Sequence, residues 1–366
     1  MKILEKEILH FYWLDLLRFF AALTVVIAHT RGSVFVEYGK LLSHDKTFFI
    51  TIAYAITRIA NEAVIVFFVL SGFLVGGRAL YRLSENKFDP AGYAVDRITR
   101  ILLPLIPALF FTAFVRLTID GNFDLVVMVA NIFSLQGILT PTFGGNGPLW
   151  SLSYEVWFYF LTYSVGVTVL NKKLHIHSAL IIILVLCIFT ILDSVYLFCW
   201  LIGVMAYMRM PTRFSYQVLI CSFLLLVYSV ISIQIGTESI SVGVKNIFFR
   251  LPSLNVSKIL LSVAIALIIQ QLIFIKPQKI ITKVINDIGV ALAAFSYTLY
   301  LTHYPTIQLL MHFGVKRADE ITYTSVGIFV CVTLTCFFVG WVMYLLFERH
   351  TNLVRYYIKH FVFKNI

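Results

Sequence analysis

The sequence predicts an all-α, polytopic transmembrane helix bundle of about ten spans, and three observations carry that reading. Of 366 residues, 60% are hydrophobic and only 13% are charged. A soluble domain carries about 25% charged residues. Mean hydropathy is +0.90. Apolar stretches recur along the whole chain at close to the length needed to cross a bilayer, about 20 residues.

Taken in order, these stretches fall at 11–30, 60–80, 100–117, 150–170, 178–193, 195–209, 214–235, 256–275, 289–312 and 322–347. The fifth and sixth are short and divide at Asp193-Ser194. Residues 46–59 read as an extra half-helix. The first stretch is too long for a cleaved signal peptide, contains Asp15 and Arg18, and has no small-residue cleavage site. Residues 1–366 therefore read as a single membrane domain with no appended soluble domain. Two loops, 31–59 and 118–149, are long enough to bind something, whereas 236–257 reads as a connector.

Ten spans put both termini on one side. With the termini cytoplasmic, the inner segments hold nearly twice as many Lys and Arg as the outer ones, as the positive-inside rule requires. The formal net charge of +11 is then mostly this bias, and it calls for no nucleic-acid partner. The five cysteines all lie in predicted spans without metal-site spacing, so they read as core thiols and no metal is expected.

Several polar groups interrupt the apolar pattern. Arg18 and His29 lie eleven residues apart in the first span. That spacing is about three turns plus 20°, so both project from one face, roughly 16 Å apart. Ionisable groups within a span are costly and usually face a cavity or partner. Histidine can also exchange a proton near neutral pH. The plain alternative is a snorkelling arginine and a satisfied core histidine.

Arg97 and Arg100 lie one turn apart at the inner end of the third span. Guanidinium forks suit phosphates, although inner helix ends attract arginine in any case. In 145–159, Pro148 marks a helix start. Ser151 and Glu155 then share a face, as do Trp150 and Tyr154. Glu155 falls one to two turns inside the membrane and is a functional candidate; Trp157 reads as an interfacial residue. In the ninth span, Ser296, Tyr300 and His303 form a polar stripe, with Pro305 expected to kink the helix just beyond it. Such a stripe also serves plain interhelical hydrogen bonding. Glu348-Arg349 closes the tenth span and reads as a surface pair.

Together these segments resemble the acyltransferase-3 family of integral membrane acyltransferases. The resemblance rests on Leu14-Asp-Leu-Leu-Arg18 with His29, Phe67-Phe-Val-Leu-Ser-Gly-Phe-Leu74, Arg97-Ile-Thr-Arg100, Trp150-Ser-Leu-Ser-Tyr-Glu155, Ser296-Tyr-Thr-Leu-Tyr-Leu-Thr-His303 and Glu348-Arg349, in the family's order. Two positions depart from the pattern. Ile65 stands where many members carry an acidic residue, and His350 where proline usually follows the closing Glu-Arg.

The resemblance implies a helix bundle around a cavity, acyl-coenzyme A (acetyl-coenzyme A foremost) as co-substrate, and a carbohydrate or envelope glycolipid hydroxyl as acceptor. It places the chain in the lipid bilayer of a bacterial plasma (inner) membrane and leaves oligomeric state open. On this basis His29 is the expected base. Glu155 would orient or charge-pair, and His303 or Ser296 would donate to the acceptor or the oxyanion. Arg97 and Arg100 would hold the coenzyme A phosphates, and Arg18 the pantetheine arm or a carboxylate such as Asp15. His29 is expected toward the outer leaflet while the donor is cytoplasmic, so the donor reaches up a deep cavity or an acyl-enzyme carries the group. A transporter of envelope glycans or lipids is the rival reading. It would often show paired halves with interrupted helices, and no such internal symmetry is visible.

Overall fold

A computed structural model describes residue 11 and residues 13–242 and 252–363. Part of the expected 236–257 connector therefore lies outside the described residues. In chain order the helices are α1 (Leu14–Val34), α2 (Phe48–Ile56), α3 (Ala60–Ser71), α4 (Arg78–Ser84), α5 (Pro90–Asp120), α6 (Leu125–Ile132), α7 (Trp150–Asn171), α8 (Ile176–Ile191), α9 (Val195–Met208), α10 (Tyr216–Val242), α11 (Leu254–Leu272), α12 (Ile280–Ala294), α13 (Ser296–His312), α14 (Tyr323–Leu346) and α15 (Thr351–Phe363). No strand occurs among the described residues. The fold is an all-helical membrane fold.

Each of the ten apolar stretches corresponds to a helix, a pair or a run of helices, and the expected half-helix is α2. Among the described residues, five helical stretches are both long and apolar enough to cross a membrane, or six if α12 and α13 count as one broken span. The others fall short for identifiable reasons. The helices α8 and α9 have 16 and 14 residues. At 21 and 22 residues, α1 and α7 are long enough, but they carry Asp15, Arg18, His29 and Glu155.

Local chemistry sets the helix ends. Asp89 caps α5 by accepting from Gly92 N at 3.0 Å, with Pro90 in the first turn. The helix stops at Gly121, whose φ of 75° suits glycine, and its N–H donates to Leu117 O. Asp124 caps α6, and Thr322 with Ser325 forms a capping box on α14. Large apolar side chains stay exposed on several helices, among them Phe110, Phe114, Ile183, Leu334 and Phe338. Such faces belong against lipid.

The chain divides into two compact units. The first comprises residues 1–21, 62–81 and 194–294. Here α3 and α4 are joined by a π-helical turn, Gly72–Gly77, which packs on α9. A Cβ on Gly72 would overlap the Trp200 carbonyl, and one on Gly203 would overlap the Val69 carbonyl. This reciprocal contact explains the glycine in the Phe67–Leu74 motif. Glu62, one turn before Ile65, is buried and accepts from Gln234 Nε2 at 2.5 Å. A carboxylate thus sits in this helix despite the departure at Ile65.

The second unit comprises residues 22–61, 82–193 and 295–366. Its centre is α13, packed between α5 and α14 and buried along most of its length. Two expectations are corrected in this unit, at Trp157 and Glu348. α13 runs on through Pro305 without interruption, and the preceding break falls at Phe295. The proline deprives the Leu301 carbonyl of its helical donor, and Asn146 Nδ2 replaces it at 2.9 Å. Trp157 is buried rather than interfacial. Glu348 is 4% exposed, not a surface residue. The five cysteines are free and lie on helices; Cys199 and Cys336 are buried and the other three exposed.

Candidate active site

The second unit gathers most of the polar groups singled out in the sequence. His29 of α1 and His303 of α13 stack obliquely, with ring centroids 5.4 Å apart at 38°. Tyr304 closes on His29 edge to face at 5.3 Å. His303 is fully buried. Its Nδ1 lies 3.1 Å from the Leu299 carbonyl. A carbonyl only accepts, so Nδ1 carries the proton, and the neutral ring leaves a lone pair on Nε2. That Nε2 has no hydrogen-bond partner among the described residues.

One turn back on α13, the Tyr300 hydroxyl meets Ser151 Oγ at 2.7 Å and the Pro148 carbonyl at 2.8 Å. The expected face of α7 is therefore turned to α13. The start of α7 is fixed by the loop before it: Gln136 Nε2 donates to Leu149 O, and Ser153 Oγ to Ser134 O. Glu155 accepts from the Tyr159 hydroxyl on its own helix. It lies within electrostatic reach of both Tyr297 and Tyr300. Among the described residues, no hydrogen bond or ion pair joins Glu155 to His29 directly; α13 stands as the connecting element. Ser296 is buried at the first turn of α13, two turns before His303. The sequence pairs Trp150 with Tyr154, and their rings meet edge to face at 5.5 Å.

The two arginines of α5 diverge. The Arg97 guanidinium rests near the rings of Tyr159 and Tyr93, at 5.4 and 5.8 Å. Its Nε has no hydrogen-bond partner among the described residues. It borders a cavity of about 440 Å³, otherwise mostly apolar, with Tyr93, Val156, Tyr159 and Tyr163 in its wall. Arg100 instead reaches Glu348, Nη1 to Oε1 at 3.3 Å. The other carboxylate oxygen of Glu348 accepts from Thr298 N at 3.2 Å and Thr298 Oγ1 at 2.5 Å. Arg18 belongs to the first unit, where its Nη1 lies 2.7 Å from Asp15 Oδ1.

Sequence reasoning missed Tyr304, Tyr159 and the structural work of Glu348. The only signals were indirect: Tyr304 follows His303 and Tyr159 lies one turn past Glu155. Nothing local marks Glu348 as buried. A second cavity of about 380 Å³ begins at Tyr304 and is lined also by Ser33, Arg116, Gln308, His312 and Arg317. Tyr297 and Tyr304 are separated by about 10 Å along α13. The Arg100 guanidinium lies 5.9 Å from the Tyr297 ring, so Arg100 is associated with one stretch of that helix and the second cavity with another.

Buried polar side chains on an all-helical membrane scaffold, converging on a histidine pair, define a membrane protein with an intramembrane polar site. The comparisons make this specific. The acyltransferase-3 family model, described as an acyltransferase domain, matches residues 11–345. The chain belongs to this family. It is also similar to the acyltransferase MdmB of Streptomyces mycarofaciens, 30% identical over 162 residues. That match covers 43% of this chain and 39% of the relative, so the chain spans about two fifths of the relative's length. No solved structure matches.

Proposed function

We propose that this acyltransferase moves an acyl group, acetyl foremost, from acyl-coenzyme A to a hydroxyl of a cell-envelope carbohydrate or glycolipid, in a bacterial plasma membrane with both termini cytoplasmic. The observation that carries the reading is the His29–His303 pair, with His303 fully buried and Tyr304 against His29. Acyl transfer from a thioester needs a base for the attacking hydroxyl and a donor for the oxyanion. Among the assembled residues, these two rings have the proton chemistry to provide the first.

In this scheme His29 takes the hydroxyl proton as the oxygen bonds to the thioester carbonyl carbon. The carbon–sulfur bond breaks, and His29 returns the proton to the departing thiolate. His303, with its lone pair on Nε2, is suited to share that proton rather than to stabilise an oxyanion. Ser296 and the Tyr304 hydroxyl remain as donors. Glu155, held by Tyr159, orients the tyrosines between the arginine end and the histidines. Arg97 fits a phosphate ligand: its Nε is free to donate and its guanidinium is braced on two rings. Arg100 has one edge committed to Glu348 and supplies the remainder of its fork. Two lines of approach, one near Arg97 and one near Tyr304, bear on the donor and acceptor lying on different sides of the membrane.

The test is transfer of labelled acetyl from acetyl-coenzyme A in membranes holding the full chain, read by mass on envelope glycans. Wild type should label them and His29→Ala should not, while inserting normally. Full labelling by His29→Ala would remove His29 from the reaction.

A further inference from the structure

The cavity that starts at Tyr304 is chemically unlike the one beside Arg97. We propose that it seats the acceptor, and that the acceptor carries an oxyanion, a carboxylate or a phosphate, held by Arg317 and Arg116. This rests on the acyltransferase reading above and adds the acceptor's chemical class.

Three observations carry it. First, Tyr304 is shared: it lines the cavity and packs on His29. A molecule in the cavity is therefore one ring away from the proposed base. Second, Arg317 is held in place without being neutralised. Its Nη2 and Nε donate to the carbonyls of Gly32 and Ser33, at 2.8 and 3.4 Å. The loop bearing it is pinned to the end of α1, Ala318 N donating to Val34 O at 2.7 Å and Val36 N to Ala318 O at 3.0 Å. Among the described residues no carboxylate lies within ion-pair distance of Arg317. Third, the surrounding field is positive. Arg31 lies within electrostatic reach of Arg317 and also of Arg58, and the buried Arg31 Nε has no hydrogen-bond partner among the described residues. Arg116 also lines the cavity, with Asp120 as its ion pair; Glu37 is the other carboxylate in reach of Arg31. Cations focused in a cleft raise the local concentration of anions, and a guanidinium fork matches a carboxylate or phosphate in geometry. A neutral sugar would gain little from this arrangement.

The experiment is a binding measurement that reads no turnover. The full chain, purified in detergent, is titrated with glucuronate, glucose 1-phosphate and glucose at matched ionic strength, by calorimetry. At least one anionic sugar should bind ten times or more tightly than glucose. Preference for glucuronate assigns a carboxylate, and preference for glucose 1-phosphate a phosphate. Arg317→Gln should weaken that binding about tenfold, as expected for a hydrogen bond to a charged group. Arg317→Lys, which keeps the charge but loses the fork, should fall between, with an unchanged melting temperature showing that the fold persists. Arg97→Gln should leave it unaltered. Equal affinity for glucose, absence of anion binding, or loss in Arg97→Gln but not in Arg317→Gln would overturn the proposal. Because transfer is not read, these results stand apart from the His29→Ala labelling test.

Discussion

Replacing Glu348 should loosen the helix that carries His303. The first N–H groups of a helix lack internal partners, and Phe295, at the N-cap of α13, offers no side-chain cap. Glu348 supplies what is missing from another element: Oε2 accepts from Thr298 N at 3.2 Å and from Thr298 Oγ1 at 2.5 Å. Its charge also complements the positive end of the α13 dipole, worth about 0.3–2 kcal/mol. The Arg100 contact counts for less, since that side chain is 35% exposed and can rehydrate, leaving roughly 0–1 kcal/mol. Glu348→Gln retains an acceptor for Thr298 and loses only the charge, about 1–2 kcal/mol in all. Glu348→Leu also strands two buried donors and should cost about 3–5 kcal/mol. Denaturant titration in mild detergent, followed by circular dichroism, measures both. A Thr298→Val, Glu348→Gln cycle should give a coupling of about 0.5–3 kcal/mol. Equal stability of Glu348→Leu and wild type, or zero coupling, would refute the capping argument.

Other perturbations separate roles. Neutralising Arg97 and Arg100 together should raise KM for acyl-coenzyme A with little change in acceptor dependence; unchanged donor kinetics would return them to topology signals. Gly72→Ala should destabilise by about 3 kcal/mol or more, because its methyl meets the Trp200 carbonyl rather than a side chain that can move; a normal melting temperature would count against the packing of the π-helical turn on α9. Asn146→Ala should cost about 1–3 kcal/mol by stranding the Leu301 carbonyl. Pro305→Ala, which restores a helical N–H to that carbonyl, should recover much of the loss, and additive effects would show that the two do not share it.

How far the sequence could be read depended on the range of the interaction. Helix positions followed from hydropathy, because burial in lipid acts on each stretch separately. The pairing of Ser151 with α13 was half visible: the spacing of Ser151 and Glu155 fixed their shared face, but not what that face meets. The Glu348 environment was invisible. A Glu-Arg pair after an apolar run is a surface pattern until a second helix brings Thr298 N–H to it, and the partners are fifty residues apart. The surroundings of Pro305 were hidden for a related reason. A local rule cannot see a distant amide donor, and Asn146 lies more than 150 residues upstream of the carbonyl it meets.

The same distinction bears on the site itself. His29 and His303 each stood out alone as ionisable groups in apolar helices, yet their roles depend on their mutual placement. Leu299 O faces Nδ1 of His303, which on the proposed scheme makes that ring a proton acceptor at Nε2 rather than the expected donor. On that proposal, donation to an oxyanion falls to hydroxyls such as those of Ser296 and Tyr304, and the histidine pair handles the proton. Within α13 the helical rise orders these groups: the tyrosine nearest the arginines, then the histidine, then the tyrosine that opens on the second cavity. If the proposed donor and acceptor sites hold, a single buried helix keeps a phosphate-bearing donor and an anionic acceptor apart while presenting both to the same histidine pair.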